Sequence, residues 1–351
     1  MTAAALSVGD HLIGPEHEPF VIAEMSGNHN GDLERALDIV RAAGEAGASA
    51  LKIQTYTADT ITLDVDSPLF RLSAAHPLWP NRRLHDLYDE AHTPWEWHEP
   101  IFALAADYGM VPFSAAFDPT AVDFLVGLGV PLIKSASSEI TDLPLVRRIA
   151  GAGLPMIIST GTATMAEIDS AVRAARSVGN DDLVVLACTA TYPAPPEASN
   201  LRAIPVIRDA LDVQIGLSDH TTGIGASVAA VALGAVVIEK HITLDRGDGG
   251  VDSAFSLEPD EFALLVKECR VARQALGEPV VGPKAVEAEG LRFRRSLFVT
   301  RDVRAGESVG PDNVRSVRPA DGLEPDVIGV VTGRTFTRDV AAGTPLSWDL
   351  L

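Results

Sequence analysis

Cysteine is nearly absent from this chain: of 351 residues only Cys188 and Cys269 carry a thiol. Two cysteines so far apart build neither a disulfide framework nor a zinc knuckle. Positive charge is also short, with 28 Lys and Arg against 48 Asp and Glu, a formal net charge of −20. A field of that sign repels nucleic acid and anionic membrane and excludes both as partners. Any anion bound here therefore needs a local cluster of Lys and Arg. No apolar run approaches the roughly 18 residues of a membrane span. The first fourteen residues lack the basic-then-apolar order of a signal peptide, so a soluble, cytoplasmic protein is expected. The dinucleotide fingerprint GxGxxG and the zinc-protease HExxH are missing too.

The composition, 46% hydrophobic and 22% charged, is that of a chain that buries a large core. Eight short runs rich in Val, Ile and Leu stand at 20–26, 50–56, 111–117, 131–137, 155–160, 183–188, 213–218 and 236–241. They read as strands buried on both faces. Amphipathic helical stretches separate them, and Gly47, Gly109, Gly129, Gly179 and Gly234 stand where helix ends need a left-handed residue. Eightfold strand–helix alternation predicts a (β/α)8 TIM barrel rather than an open, doubly wound sheet.

Residues 57–94 interrupt the rhythm after the second strand and read as a long loop, a lid on the catalytic face. The domain reading is a barrel over 1–280, a linker over 281–292 and a small all-β module over 293–351. That module contains a repeat: Thr300-Arg301-Asp302-Val303-Arg304-Ala305-Gly306 returns as Thr337-Arg338-Asp339-Val340-Ala341-Ala342-Gly343, which predicts pseudo-symmetry.

Barrel chemistry belongs at the C-terminal strand ends, and the polar residues crowd there. Period-two alternation puts Lys52 with Gln54, Ser218 with His220, and Glu239 with His241 on common faces. His220 and His241, on adjacent strands, suit a divalent transition metal; the plainer alternative is that each satisfies a loop hydrogen bond. Lys52 and Lys134, with Ser137, Ser159, Thr160 and Ser218, suit a phosphate and a carboxylate. Two other readings stay open for the lysines: internal pairing with a carboxylate such as Glu24 or Glu139, or a Schiff-base aldolase. Metal hydrolases of this fold usually place two histidines one residue apart after the first strand; here that place reads Asn28-His29-Asn30.

At these residues the chain resembles the sialic acid synthase family. The carriers are Ile22-Ala23-Glu24, Asn28-His29-Asn30-Gly31, Lys52-Ile53-Gln54-Thr55, Gly216-Leu217-Ser218-Asp219-His220-Thr221 and Glu239-Lys240-His241. The tail resembles that family's antifreeze-like (SAF) module, of the β-clip type. Met25-Ser26-Gly27, Thr55-Tyr56-Thr57-Ala58-Asp59-Thr60, residues 88–97, Tyr192-Pro193-Ala194-Pro195 and Arg318-Pro319-Ala320-Asp321-Gly322-Leu323 look like its pseudaminic acid branch. N-acetylneuraminate synthases usually carry Gly-Val in place of Ser26 and Gly27, and Asn in place of Ala190.

The resemblance implies condensation of phosphoenolpyruvate with an amino-sugar aldehyde. The sugar implied is 2,4-diacetamido-2,4,6-trideoxy-L-altrose, with N-acetylneuraminate or legionaminate synthesis as the alternative. A non-catalytic sugar-binding protein is a more remote one. His220 and His241 would hold the metal, Mn2+ ahead of Co2+ or Mg2+. Lys52, Lys134, Ser137, Ser159 and Ser218 would bind phosphoenolpyruvate. Gln54, Glu139, Tyr192 and Asp252 would position the sugar. Glu24 would stand beside the reacting centre as base, water-positioner or partner of metal-bound water. A domain-swapped homodimer would bring Arg318 to the sugar's acyl group in the other chain's site.

Overall fold

A computed structural model describes residues 4–74 and 78–351; residues 75–77 of the predicted lid and the first three residues lie outside that description. The chain divides into two compact units, Met1–Gly277 and Glu278–Leu351.

The first unit opens with an antiparallel hairpin, β1 (Leu6–Val8) and β2 (His11–Ile13), which the sequence reading did not anticipate. Eight parallel strands then close a barrel: β3 (Phe20–Glu24), β4 (Ala50–Thr55), β5 (Val111–Ala116), β6 (Ile133–Ser135), β7 (Met156–Ser159), β8 (Leu183–Cys188), β9 (Gln214–Asp219) and β10 (Val237–His241). Closure comes from β10 pairing with β3, His241 opposite Glu24. Each strand overlaps a predicted run. β3 and β6 each end two residues short of theirs because the chain turns at once into the short 3-10 helices Ser26–His29 and Ser137–Glu139.

The helices follow from caps and spacing. Asp32 accepts from Glu34 N and Arg35 N to start Leu33–Glu45, and Asp118, Asp142 and Thr164 start later helices in the same way. In Leu33–Glu45 the buried positions Ala36, Ile39, Val40 and Ala43 keep the i, i+3, i+4, i+7 spacing of one helix face. The resulting outer apolar layer lies between strands and helices. A second, inner cluster fills the N-terminal end of the barrel, where Phe20, Ile22, Val111, Phe113, Ile157, Val184, Leu186 and Val237 meet Leu6, Val8 and Ile13 of the hairpin. That end is closed, so access is left to the C-terminal mouth.

The described residues between 57 and 94 include the short helices Ala58–Ile61, Pro68–Phe70 and Leu84–Ala91. No described helix is long and apolar enough to cross a membrane.

The second unit pairs β11 (Ser296–Val299) with β12 (Val314–Val317). It departs from a purely β reading by a short α-helix, Ile328–Val331, and by 3-10 helices such as Glu289–Phe293 and Pro325–Val327. The predicted repeat is realised as hydrogen bonding. Val303 and Val340 exchange both backbone bonds at 2.9 Å, Asp302 Oδ1 accepts from Ala342 N at 2.8 Å, and Asp339 Oδ1 accepts from Ala305 N at 2.8 Å. Gly306 N donates to Phe336 O and Gly343 N to Val299 O, the same contact from each half.

Candidate active site

The mouth of the barrel gathers buried charge. Glu24 ends β3 and Lys52 lies beside it on β4, because Glu24 and Lys52 are register partners. Lys52 Nζ is 2.8 Å from Glu24 Oε2 and 3.8 Å from Glu239 Oε2, and Lys134 Nζ bonds Glu239 Oε1. Ser218 Oγ donates to Glu239 Oε1 at 3.0 Å, and Gln54 Nε2 donates to Glu24 Oε1 at 2.8 Å. The internal Lys–Glu alternative is therefore half right: both lysines are paired, but Lys134 with Glu239. Glu139 sits apart, with Oε2 buried and without a hydrogen-bond partner.

Sequence reasoning named Glu239 only as part of a motif and missed its place as the carboxylate between both lysines. The signal was there, since alternation along β10 already turned it the same way as His241.

Burial and pairing pull these groups in opposite directions. Burial would raise the Glu239 carboxyl, but Lys134 and Lys52 outweigh it and hold it down at about 2. Glu24 goes the other way: burial dominates over Lys52 and pushes it up, toward the neutral form. For Lys52, burial is outweighed by Glu239 and Glu24, which keep it charged, whereas burial depresses Lys134. One firmly ionised carboxylate thus faces two lysines. An incoming anion would complete the balance, in a protein whose overall field is negative.

The two histidines stand together, ring centroids 5.3 Å apart. His220 Nδ1 donates to Thr189 O at 3.0 Å, which fixes the tautomer and leaves Nε2 as the lone-pair nitrogen. Burial first, then His220 and the lysines, holds His241 well below its ordinary value, so its ring is neutral; its Nδ1 is buried without a hydrogen-bond partner. His220 is the more basic, because Cys188, Thr189 O and Glu239 outweigh burial. The Cys188 thiol, 3.8 Å from His220 Nδ1, is a neighbour that the sequence did not announce.

A neutral imidazole with an orphaned nitrogen beside one oriented by a carbonyl fits a divalent cation. Among the described residues no cluster of three or more His, Cys, Asp or Glu forms a fuller set of metal ligands. The remaining positions would fall to water or substrate.

The other predicted residues surround this centre. Ser159 Oγ is buried without a partner, and Ser137 Oγ accepts from Gly161 N at 3.0 Å. A Cβ built on Gly161 would lie 2.9 Å from Ala190 Cβ and 2.7 Å from Ser137 Oγ, so Ala190 packs at the rim of the same cleft. Tyr192 lies 4.5 Å from the His220 ring and 5.3 Å from Phe255, centroid to centroid. Asp252 is half-buried, hydrogen-bonded by Ser26 Oγ, and 3.9 Å from His241 Nδ1. Burial pushes the Glu139 carboxyl up to about 7. Arg318 belongs to the second unit, where it is exposed.

Comparisons with known proteins place the chain in a family and a fold. The model of the NeuB family matches residues 39–281, and that of the SAF domain matches 294–351. A pseudaminic acid synthase of Campylobacter jejuni is 42% identical over 327 residues, 93% of this chain and 95% of that one. An N,N'-diacetyllegionaminic acid synthase of Legionella pneumophila is 35% identical over 336 residues, 94% of each chain. The crystal structure of the N-acetylneuraminic acid synthetase of Leptospira borgpetersenii, in complex with citrate, superposes with a TM-score of 0.74 at 32% identity, covering 83% of this chain and 96% of that one.

Proposed function

The chain belongs to the NeuB family of phosphoenolpyruvate-dependent nonulosonate synthases, and from that membership we propose that it is a pseudaminic acid synthase. It joins phosphoenolpyruvate, 2,4-diacetamido-2,4,6-trideoxy-L-altrose and water into a nine-carbon acid and phosphate. The observation that carries this reading is the pairing, in one barrel mouth, of a lysine-lined anion site with two adjacent imidazoles.

Lys52 and Lys134, with Ser137, Ser159 and Ser218, receive the phosphate and carboxylate of phosphoenolpyruvate. A divalent cation held by His220 and His241, Mn2+ ahead of Co2+ or Mg2+, would supply Lewis-acid polarisation of the sugar's aldehyde oxygen. Gln54, Glu139, Tyr192 and Asp252 orient the open-chain sugar so that carbon 3 of the enol faces the aldehyde carbon. Bond formation leaves positive charge on carbon 2, water adds there, and phosphate departs by C–O cleavage. Glu24, beside Lys52 and Gln54, acts on that water as base, as its positioner or as partner of metal-bound water. Arg318 completes the sugar site of a partner subunit in a swapped homodimer.

The test offers diacetamido-hexose and hexosamine aldehydes with phosphoenolpyruvate and Mn2+, following phosphate release and product mass. Fastest turnover is expected with the altro sugar, and chelation should stop it. Preference for the legionaminate precursor or N-acetylmannosamine would move the assignment to the sister activity. Trapping by borohydride with pyruvate, together with indifference to chelation, would replace it with a Schiff-base aldolase. Mixing inactive Arg318→Ala and His241→Ala dimers should restore activity if the swap exists, and no recovery would remove it.

A further inference from the structure

Ser26, just beyond β3, has φ +49°. An L side chain is disfavoured there and glycine is at ease, so a serine held in that conformation calls for a compensating contact. Its hydroxyl supplies two. Ser26 Oγ donates to the half-buried Asp252 carboxylate through Oδ2, and it accepts from Gln54 Nε2 at 3.3 Å. Gln54 also donates to Glu24 Oε1 at 2.8 Å. One polar chain, Glu24–Gln54–Ser26–Asp252, therefore runs across the mouth from the reacting-centre carboxylate. The Asp252 side chain keeps 15% of its surface. That leaves the carboxylate able to accept a hydroxyl or amide N–H from a ligand.

Gly27 adds a second, steric constraint. A Cβ there would lie 2.7 Å from Val251 Cγ2 and 3.3 Å from Ala91 Cα. The bare backbone lets two elements close in: the turn carrying Val251 and Asp252, and the helix Leu84–Ala91. On that helix Tyr88 meets Tyr56 edge-on, centroids 5.9 Å apart at 81°, and Tyr56 meets Phe117 at 5.1 Å. Burial, then Asp252, Tyr88 and Glu24, holds the Tyr56 phenol in its neutral form, and at 2% exposure it backs the half-buried Tyr88.

We propose that this corner selects the sugar: Ser26 fixes the Asp252 carboxylate that receives a sugar N–H or O–H, and Tyr88, seated by Gly27 and Ala91, forms with Tyr56 an aromatic wall for an apolar, deoxy substituent. The inference rests on the reading of the mouth as a sugar-aldehyde site, and it gives the 57–94 segment a part in specificity. Ser26 is a positioning residue, acting through Asp252.

The experiment uses the full-length enzyme with Mn2+, comparing wild type, Ser26→Gly, Ser26→Ala and Tyr88→Ser on two aldehydes, one 6-deoxy and one bearing a 6-hydroxyl. Ser26→Gly suits the backbone and should fold; it is expected to raise the KM for sugar about tenfold or more while the KM for phosphoenolpyruvate stays within about twofold. Tyr88→Ser should shift the ratio of kcat/KM between the two sugars toward the 6-hydroxyl by about tenfold. An unchanged sugar KM in both Ser26 variants overturns the positioning role. Equal losses on both sugars in Tyr88→Ser overturn the wall. Should wild type prefer a different aldehyde altogether, the pseudaminic assignment falls, and Ser26 is then judged by the KM of that preferred sugar against that of phosphoenolpyruvate.

Discussion

The closed end and the mouth of the barrel are built from the same eight strands, yet their inward residues could hardly differ more. Along β3 the sequence passes from Phe20 and Ile22 to Glu24, along β8 from Val184 and Leu186 to Cys188, and along β10 from Val237 to Glu239 and His241. Within a few residues an aliphatic plug becomes a cluster of buried charge. Burying ionised groups is costly even when they are paired. The apolar end and the outer layer offset that cost, and the mouth is left free to be arranged for anions and a cation. Stability and chemistry are thus separated along one strand direction.

Three substitutions probe that separation, from the largest effect to the smallest. His241→Ala, at the mouth, should lower phosphate release by about a thousandfold or more, equivalent to ~4 kcal/mol in the transition state, with circular dichroism and Tm nearly unchanged. Retained activity would remove His241 from the centre. Phe113→Ala, fully buried at the closed end, should cost about 3–5 kcal/mol in urea unfolding while kcat per folded molecule holds. Loss of kcat at full stability would mean the two ends are not independent.

Glu139→Gln gives the smallest change and depends on pH. Burial raises the Glu139 carboxyl from an ordinary 4.5 to about 7, so the fold retains a proton that the unfolded chain releases. Its contribution is intact below its ordinary value and is lost as pH climbs toward about 7. Wild type should therefore lose stability between pH 5 and 8 that the glutamine variant keeps, a gap of ~1–3 kcal/mol in denaturant midpoints. Parallel curves for the two proteins would show that the raised carboxyl is not Glu139.

Much of this arrangement was legible beforehand. The eight strands announced themselves as short aliphatic runs. The polar residues after each run fell at the catalytic end because period two and barrel direction leave few other places for them. Glu24, Lys52, Ser218, His220 and His241 were read in that way. The hairpin at Leu6–Ile13 was not, since three-residue strands are too short for a pattern. The partner of Lys134 was not read either: Glu239 lies 105 residues away, and local spacing has no access to such a distance. Nor could spacing show that Ser26 sits at positive φ or that Ala91 presses on Gly27.

Taken alone, the order of residues determined a barrel of eight units, a tail folded on its own repeat, and the types of side chain at the mouth. These follow from periodicity, turn chemistry and burial of apolar area, which act over a few residues at a time. The tertiary structure decided which carboxylate neutralises which lysine, which ring nitrogen of His220 keeps its lone pair, and that Ala91 of the helix Leu84–Ala91 packs on Gly27. Those are set by Coulomb energy and desolvation between groups far apart in the chain, and closing β10 onto β3 is what brings them within reach.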